Sequence, residues 1–139
     1  MKKSVMAAKL NKSGLKATPQ RLAVLNLLGE FSSEGFHPSA EDIYSRLHPE
    51  LPALSFATVY KTLASLTAAG FIAELGLNEK RLRYDGNCSA HAHLICTDCG
   101  SITDIFGVPA IEVDSEQAAG FEIERTSVSF YGKCENCKE

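Results

Sequence analysis

Apolar residues recur at helical spacing through the first half of the chain and at looser, strand-like spacing through the second. Residues 1–12 suit a short, frayed helix. Thr18-Pro19 reads as an N-cap followed by proline at the first helical position. Leu22, Val24, Leu25 and Leu28 then form an apolar stripe that runs to Gly29. A loop through Gly35, Phe36, His37 and Pro38 leads to Ser39-Ala40-Glu41-Asp42, a capping box with Asp in the usual Glu place. Ile43 and Leu47 supply that helix's buried face, and Pro49 and Pro52 end it. Ser55 can cap the next helix, with Phe56, Val59, Leu63 and Leu66 on its inner face and Gly70 as its C′ residue. Thr58, Lys61, Thr62 and Ser65 are expected on the opposite face, with Tyr60 to one side. Strands are expected at 71–76 and 81–85, joined by Leu77-Asn78-Glu79-Lys80. Three helices followed by a two-stranded wing is the order of a winged helix-turn-helix.

After Asp85 the pattern changes. Residues 91–96 and 101–106 read as strands around a Cys-x-x-Cys-Gly turn, 109–118 as a short helix, and 121–131 as strand. The expected class is therefore α+β. A winged-helix domain occupies 1–85, a hinge 86–90, and a small α/β domain 91–139.

Charge sharpens this division. Residues 1–85 hold 11 Lys/Arg against 8 Asp/Glu, whereas residues 86–139 hold 3 against 9, within an overall net charge of −3. Only the first half is electrostatically suited to a polyanion. The start, Met1-Lys2-Lys3-Ser4, has the charge of a signal peptide, but Lys9 and Lys12 interrupt any apolar core behind it. No apolar run approaches the roughly 18 residues of a membrane span. A soluble, cytoplasmic protein without membrane association is expected.

In such a compartment five cysteines argue against disulfides as the default. Four form two Cys-x-x-Cys pairs, Cys96/Cys99 and Cys134/Cys137, and Cys88 stands alone as a bystander. Paired knuckles of this kind point to structural zinc in a closed tetrahedral thiolate shell, with no open position for catalysis. The 34 residues between the pairs exceed a zinc ribbon's spacing, so the metal would tie the chain's end back to the first hairpin.

His91-Ala92-His93 adds a second constellation. Residues i and i+2 of a strand share a face, so both imidazoles lie together and Cys96 lies on the other side. If 97–100 form the turn, Cys96 faces Ser101 and His93 faces Asp104, bringing that carboxylate to the histidines.

The stretches Thr18-Pro19-Gln20-Arg21, His37 to Tyr44, Ala57 to Leu63, His91 to Gly100 and Tyr131 to Cys137 resemble the ferric uptake regulator (Fur) family. The resemblance runs from about Thr18 to Cys137. It implies a homodimer, joined by the second domain, that binds AT-rich inverted repeats of double-stranded operator DNA when loaded with metal. It also implies a regulatory site for Fe(II) or Mn(II) made of His37, Asp85, His91, His93 and Asp104. Asp104, where iron-uptake relatives typically carry Glu, resembles the peroxide-sensing branch. An auxiliary site of many relatives needs an acid between the two histidines and a histidine on the last strand. Ala92 and Arg125-Thr126 stand there, so that site is not expected.

Three imidazoles and two carboxylates suit Fe(II) or Mn(II), because no sulfur favours zinc or copper(I). By resemblance, iron would let hydrogen peroxide oxidise His37 or His91 to 2-oxo-histidine, and the damaged ligand would release metal and DNA. Thr58, Tyr60, Lys61 and Arg21 are the candidate DNA contacts, with Lys80, Arg81 and Arg83 on the wing. Two other readings are an iron-responsive repressor of metal-uptake genes and a nonspecific zinc-ribbon module. An enzyme is not expected, since no His-Glu-x-x-His motif and no zinc-deaminase signature occurs.

Overall fold

The structure, a computed structural model, describes residues 3–78, 80, 82–87, 91–124 and 126–139. Arg81, Cys88, Arg125 and positions 88–90 of the expected hinge lie outside the described residues. The chain divides into two compact units, Met1–Cys88 and Ser89–Glu139.

The first unit holds helices α1 (Lys3–Lys12), α2 (Pro19–Ser33), α3 (Ala40–Leu47) and α4 (Phe56–Ala68), then strands β1 (Ala73–Leu75) and β2 (Arg83–Asp85). Each start signal works as its chemistry demands. Thr18 Oγ1 accepts from the Arg21 N–H, Ser39 and Asp42 complete a reciprocal capping box, and Ser55 Oγ accepts from the Thr58 N–H. Gly70, at φ 82°, turns the chain out of α4 in a conformation that disfavours other residues. β1 and β2 pair antiparallel, with Glu74 opposite Tyr84, as a wing. Val24, Leu28, Ile43, Val59, Leu63 and Leu66 form the centre of a continuous apolar core, each contributing about 1.5–3 kcal/mol by leaving water.

Several details depart from the sequence reading. α2 passes through Gly29 and ends at Ser33, because Phe31 completes a buried i, i+3, i+4, i+7 row with Val24, Leu27 and Leu28. Leu22 and Leu25 are only partly buried at its border. Thr62, expected on the outer face of α4, is buried. Phe56, expected inside, is largely exposed and meets Tyr44 edge-on. The burying surface of α4 is thus rotated toward Thr62 and Thr67.

The second unit holds β3 (Ala92–Cys96), β4 (Ile102–Ile105), α5 (Ser115–Ala118) and β5 (Ser129–Gly132). β3 lies between antiparallel β4 and parallel β5. The expected helix over 109–118 shrinks to α5, which starts where Asp114 and Gln117 form a capping box. The expected strand over 121–131 shrinks to β5. Phe121, 79% exposed, and Ile123, 51% exposed, find no burying surface among the described residues to reward their alternation. Among the described residues, this unit's buried apolar side chains are Ala92, Ile95 and Cys96. So small a core leaves stability dependent on cross-links, metal or a partner subunit.

Gly86 follows β2 directly, and a Cβ there would stand 2.9 Å from Leu28 Cβ and 3.1 Å from the Leu28 carbonyl carbon. Gly86→Ala is therefore expected to cost about 1–3 kcal/mol, as overpacking does. Urea unfolding of the metal-free protein checks it.

Candidate metal centre

The β3–β4 hairpin sets the chemistry of the second unit. Its register pairs His93 with Asp104 and Ile95 with Ile102, and the Cys96 N–H donates to the Ser101 carbonyl at 2.9 Å. This is the register the four-residue turn predicted. Gly100, at φ 78°, permits that turn.

On one side of β3 the four thiols converge. All four sulfurs lie within 4.8 Å of one another, and Cys99 Sγ stands 3.8 Å from Cys134 Sγ. Thiolates bound tetrahedrally at about 2.3 Å from zinc would be roughly 3.8 Å apart. The Cys96 sulfur accepts N–H groups of Asp98, Cys99 and Cys134 at 3.4, 3.5 and 3.4 Å. Those donors, Cys134 foremost and then Cys99, hold the Cys96 thiol down at about 6. Hydrogen bonds from Ser101 lower Cys99. Crowding against neighbouring sulfur, Cys134 first, pushes Cys137 up to about 12. The second knuckle is tied to the first by the Thr97 N–H, which donates to Gly132 at 2.7 Å. The donor set and its spacing fit one structural metal.

On the other side stand nitrogen and oxygen donors. His91 Nε2 and His93 Nε2 lie 3.4 and 3.3 Å from the same Asp104 oxygen, Oδ1. The imidazoles meet edge to face, with centroids 4.5 Å apart. Sequence reasoning did not single out Phe106, whose ring stacks on His91 at 5.3 Å and 29°. Extending the strand register by one step would have found it.

The first unit carries a separate pair. His37 Nε2 stands 3.8 Å from Asp85 Oδ2, and both side chains are buried. Sequence places them 48 positions apart, and one backbone bond explains their meeting. The Tyr84 N–H donates to the Pro38 carbonyl at 2.9 Å, fixing the His37 loop beside β2. Burial, reinforced by Glu74, Tyr60 and Glu41, raises the Tyr84 phenol to about 12, so it stays neutral in the wing.

The expected DNA-facing residues lie on accessible surface of the first unit. Thr58, Tyr60 and Lys61 are exposed on α4, and the Thr58 hydroxyl shares a 2.9 Å hydrogen bond with Ser55. Tyr60, 51% exposed, leans toward Phe56 rather than lying free. Arg21 is half-buried, with Nη1 donating to the Lys16 carbonyl at 2.9 Å, and Arg83 Nη1 donates to the Leu82 carbonyl at 3.1 Å. Lys80 is exposed on the wing.

A winged helix-turn-helix joined to a small sheet with a four-thiol cluster and paired His/Asp donors defines a metal-binding, DNA-binding transcription regulator. The sequence profile of the ferric uptake regulator family matches residues 12–131, and the chain belongs to that family. It is related to the peroxide-responsive branch. It is 35% identical over 134 residues to the peroxide-responsive repressor PerR of Staphylococcus epidermidis, covering 95% of this chain and 87% of the relative. The ferric uptake regulator of Pseudomonas aeruginosa, solved with manganese, superposes with a TM-score of 0.67. It has 28% identity and covers 92% of this chain and 96% of that one. PerR of Streptococcus pyogenes, from work on peroxide sensing and gene regulation, gives 0.53 with 29% identity and covers 98% and 92%.

Thiolates, not thiols, bind metal, so zinc affinity should fall as pH is lowered. Cys96 is held down and Cys137 pushed up, so loading zinc should release protons, that of Cys137 among them. Titration calorimetry in buffers of different ionisation enthalpy measures this. Stripping the metal with a chelator should unfold the second unit while the helical circular dichroism of the first remains.

Proposed function

We propose that the chain is a homodimeric, metal-dependent repressor that senses hydrogen peroxide by oxidation of one of its own histidine ligands and then leaves its operator. The observation carrying this reading is that each unit holds its own His/Asp donor set, buried in the first and partly buried in the second. His37 and Asp85 lie 3.8 Å apart in the first, and His91 and His93 converge on Asp104 in the second. In the proposal all five residues ligate one divalent cation. Three neutral imidazoles and two carboxylates balance its charge, and the absence of sulfur favours Fe(II) or Mn(II). The thiol cluster of Cys96, Cys99, Cys134 and Cys137 takes zinc for structure.

Shared ligation couples metal to DNA. With donors from both units engaged, each first unit is held in one arrangement against its second. In a dimer this sets the spacing of two α4 helices, which must match half-sites about one DNA turn apart. Thr58, Tyr60, Lys61 and Arg21 then face an AT-rich inverted repeat. The second copy would cover the apolar residues that the second unit exposes, among them Leu94, Ile111, Val113, Phe121, Phe130 and Tyr131. Losing the cation frees the units, and DNA affinity falls by the fraction still competent.

Iron(II) held by these residues would catalyse the reaction with hydrogen peroxide, with no net electrons drawn from the metal, and manganese(II) supports such chemistry poorly. His37 and His91 are the proposed targets. The ring that reacts gains one oxygen atom at the carbon between its nitrogens and gives up two electrons. Peroxide provides the atom, accepts the electrons, and its second oxygen leaves as water. A ring so altered is a poorer donor, while the zinc-bound cysteines need take no part.

The alternative is an iron-responsive repressor of metal-uptake genes insensitive to peroxide, favoured by the higher fold similarity to the Pseudomonas aeruginosa regulator. Peptide mass spectrometry after mild peroxide treatment separates the two. Sensing predicts a gain of one oxygen on peptides holding His37 or His91 in the iron form, little in the manganese form, and release of operator DNA in parallel. Unmodified histidines with DNA binding retained would establish the iron-responsive alternative.

A further inference from the structure

The β3–β4 register does more than bring Asp104 to the histidines. Ala92 pairs with Ile105, so His91 and Phe106 stand opposite each other one step beyond the last pair. His91, His93, Asp104 and Phe106 therefore share one face of the sheet. The Phe106 ring lies over the His91 ring, centroids 5.3 Å apart at 29°, and His91 also meets His93 edge to face and Asp104 through Nε2. Phe106 itself is 62% exposed, a large apolar side chain that gains little by burial and yet is stacked. Gly107, at φ 79°, turns the backbone immediately after it and ends the strand there.

We propose that Phe106 is a positioning and shielding residue for His91. Stacking restricts rotation of the imidazole, so Nε2 stays aimed toward Asp104 and the cation that rests on the reading above. The same ring covers one face of His91 against solvent and peroxide. Covering His91 in this way lowers its share of the oxidation relative to His37. The reaction balance is unchanged, because only the ring that receives peroxide's oxygen atom differs.

The test compares the full-length, zinc-loaded wild type with Phe106→Ala, Phe106→Leu and Phe106→Tyr. Leucine keeps apolar bulk without a flat ring, and tyrosine restores the ring. Mn(II) affinity, read by electron paramagnetic resonance, should fall about tenfold in the alanine and leucine variants and recover in the tyrosine variant. Unchanged affinity in both weakened variants overturns the positioning role. In the iron form, mild peroxide should raise the His91-to-His37 oxidation ratio several-fold for alanine and leucine, and not for tyrosine. A constant ratio across the series overturns the shielding role. If wild-type histidines gain no oxygen at all, the peroxide reading and the shielding role both fall, whereas the manganese affinities still decide the positioning role. Zinc content and circular dichroism verify that each variant is folded, as expected for an exposed side chain.

Discussion

The antiparallel register of β3 on β4 governs what the second unit can do. Because side chains alternate between faces, a slip by one residue would carry His91 and His93 to the thiol side and separate them from Asp104. The Cys-x-x-Cys turn sets that register through the bonds joining Cys96 to Ser101 and Gly100 to Cys96. The first thiol knuckle and the His91–His93–Asp104 cluster are thus consequences of a single hairpin, with the second knuckle joined to it through β5. A unit with so few buried apolar side chains leaves the register to the turn, a structural metal and a partner subunit's cover.

The first unit reaches its contribution by a different physical route. Its helices are held by a continuous apolar core and by side-chain caps at α2, α3 and α4. This frame needs no metal, and His37 and Asp85 sit at its margin, joined by the bond between Tyr84 and Pro38. Under the proposed shared ligation, a donor pair on one unit and a donor set on the other would report whether a cation is present. Separating them would then cost the binding free energy that the shared cation loses.

Much of this was legible in the chain. Caps at Thr18, Ser39 and Ser55 act within three residues, so their chemistry is readable locally. The His93–Asp104 pairing followed from period-two alternation about a short turn. The failures arose where distant surfaces decide. Gly29 looked like an end because its local cost is visible and the reward of burying Phe31 is not. Thr62 and Phe56 were assigned to faces by polarity, while packing rotated α4 by a fraction of a turn. Residues 121–124 and 126–128 alternate like a strand, yet alternation needs a partner surface to become one. The pairing of His37 with Asp85 came from family resemblance, since spacing gives no sign of the bond that joins their loops.

The central claim is that one divalent cation takes nitrogen and oxygen ligands from both units. A crystal structure of the zinc-loaded protein grown with manganese measures this directly. The account predicts manganese bound by His37 and Asp85 together with His91, His93 and Asp104. Manganese held by the second unit alone, with His37 turned away, would contradict it.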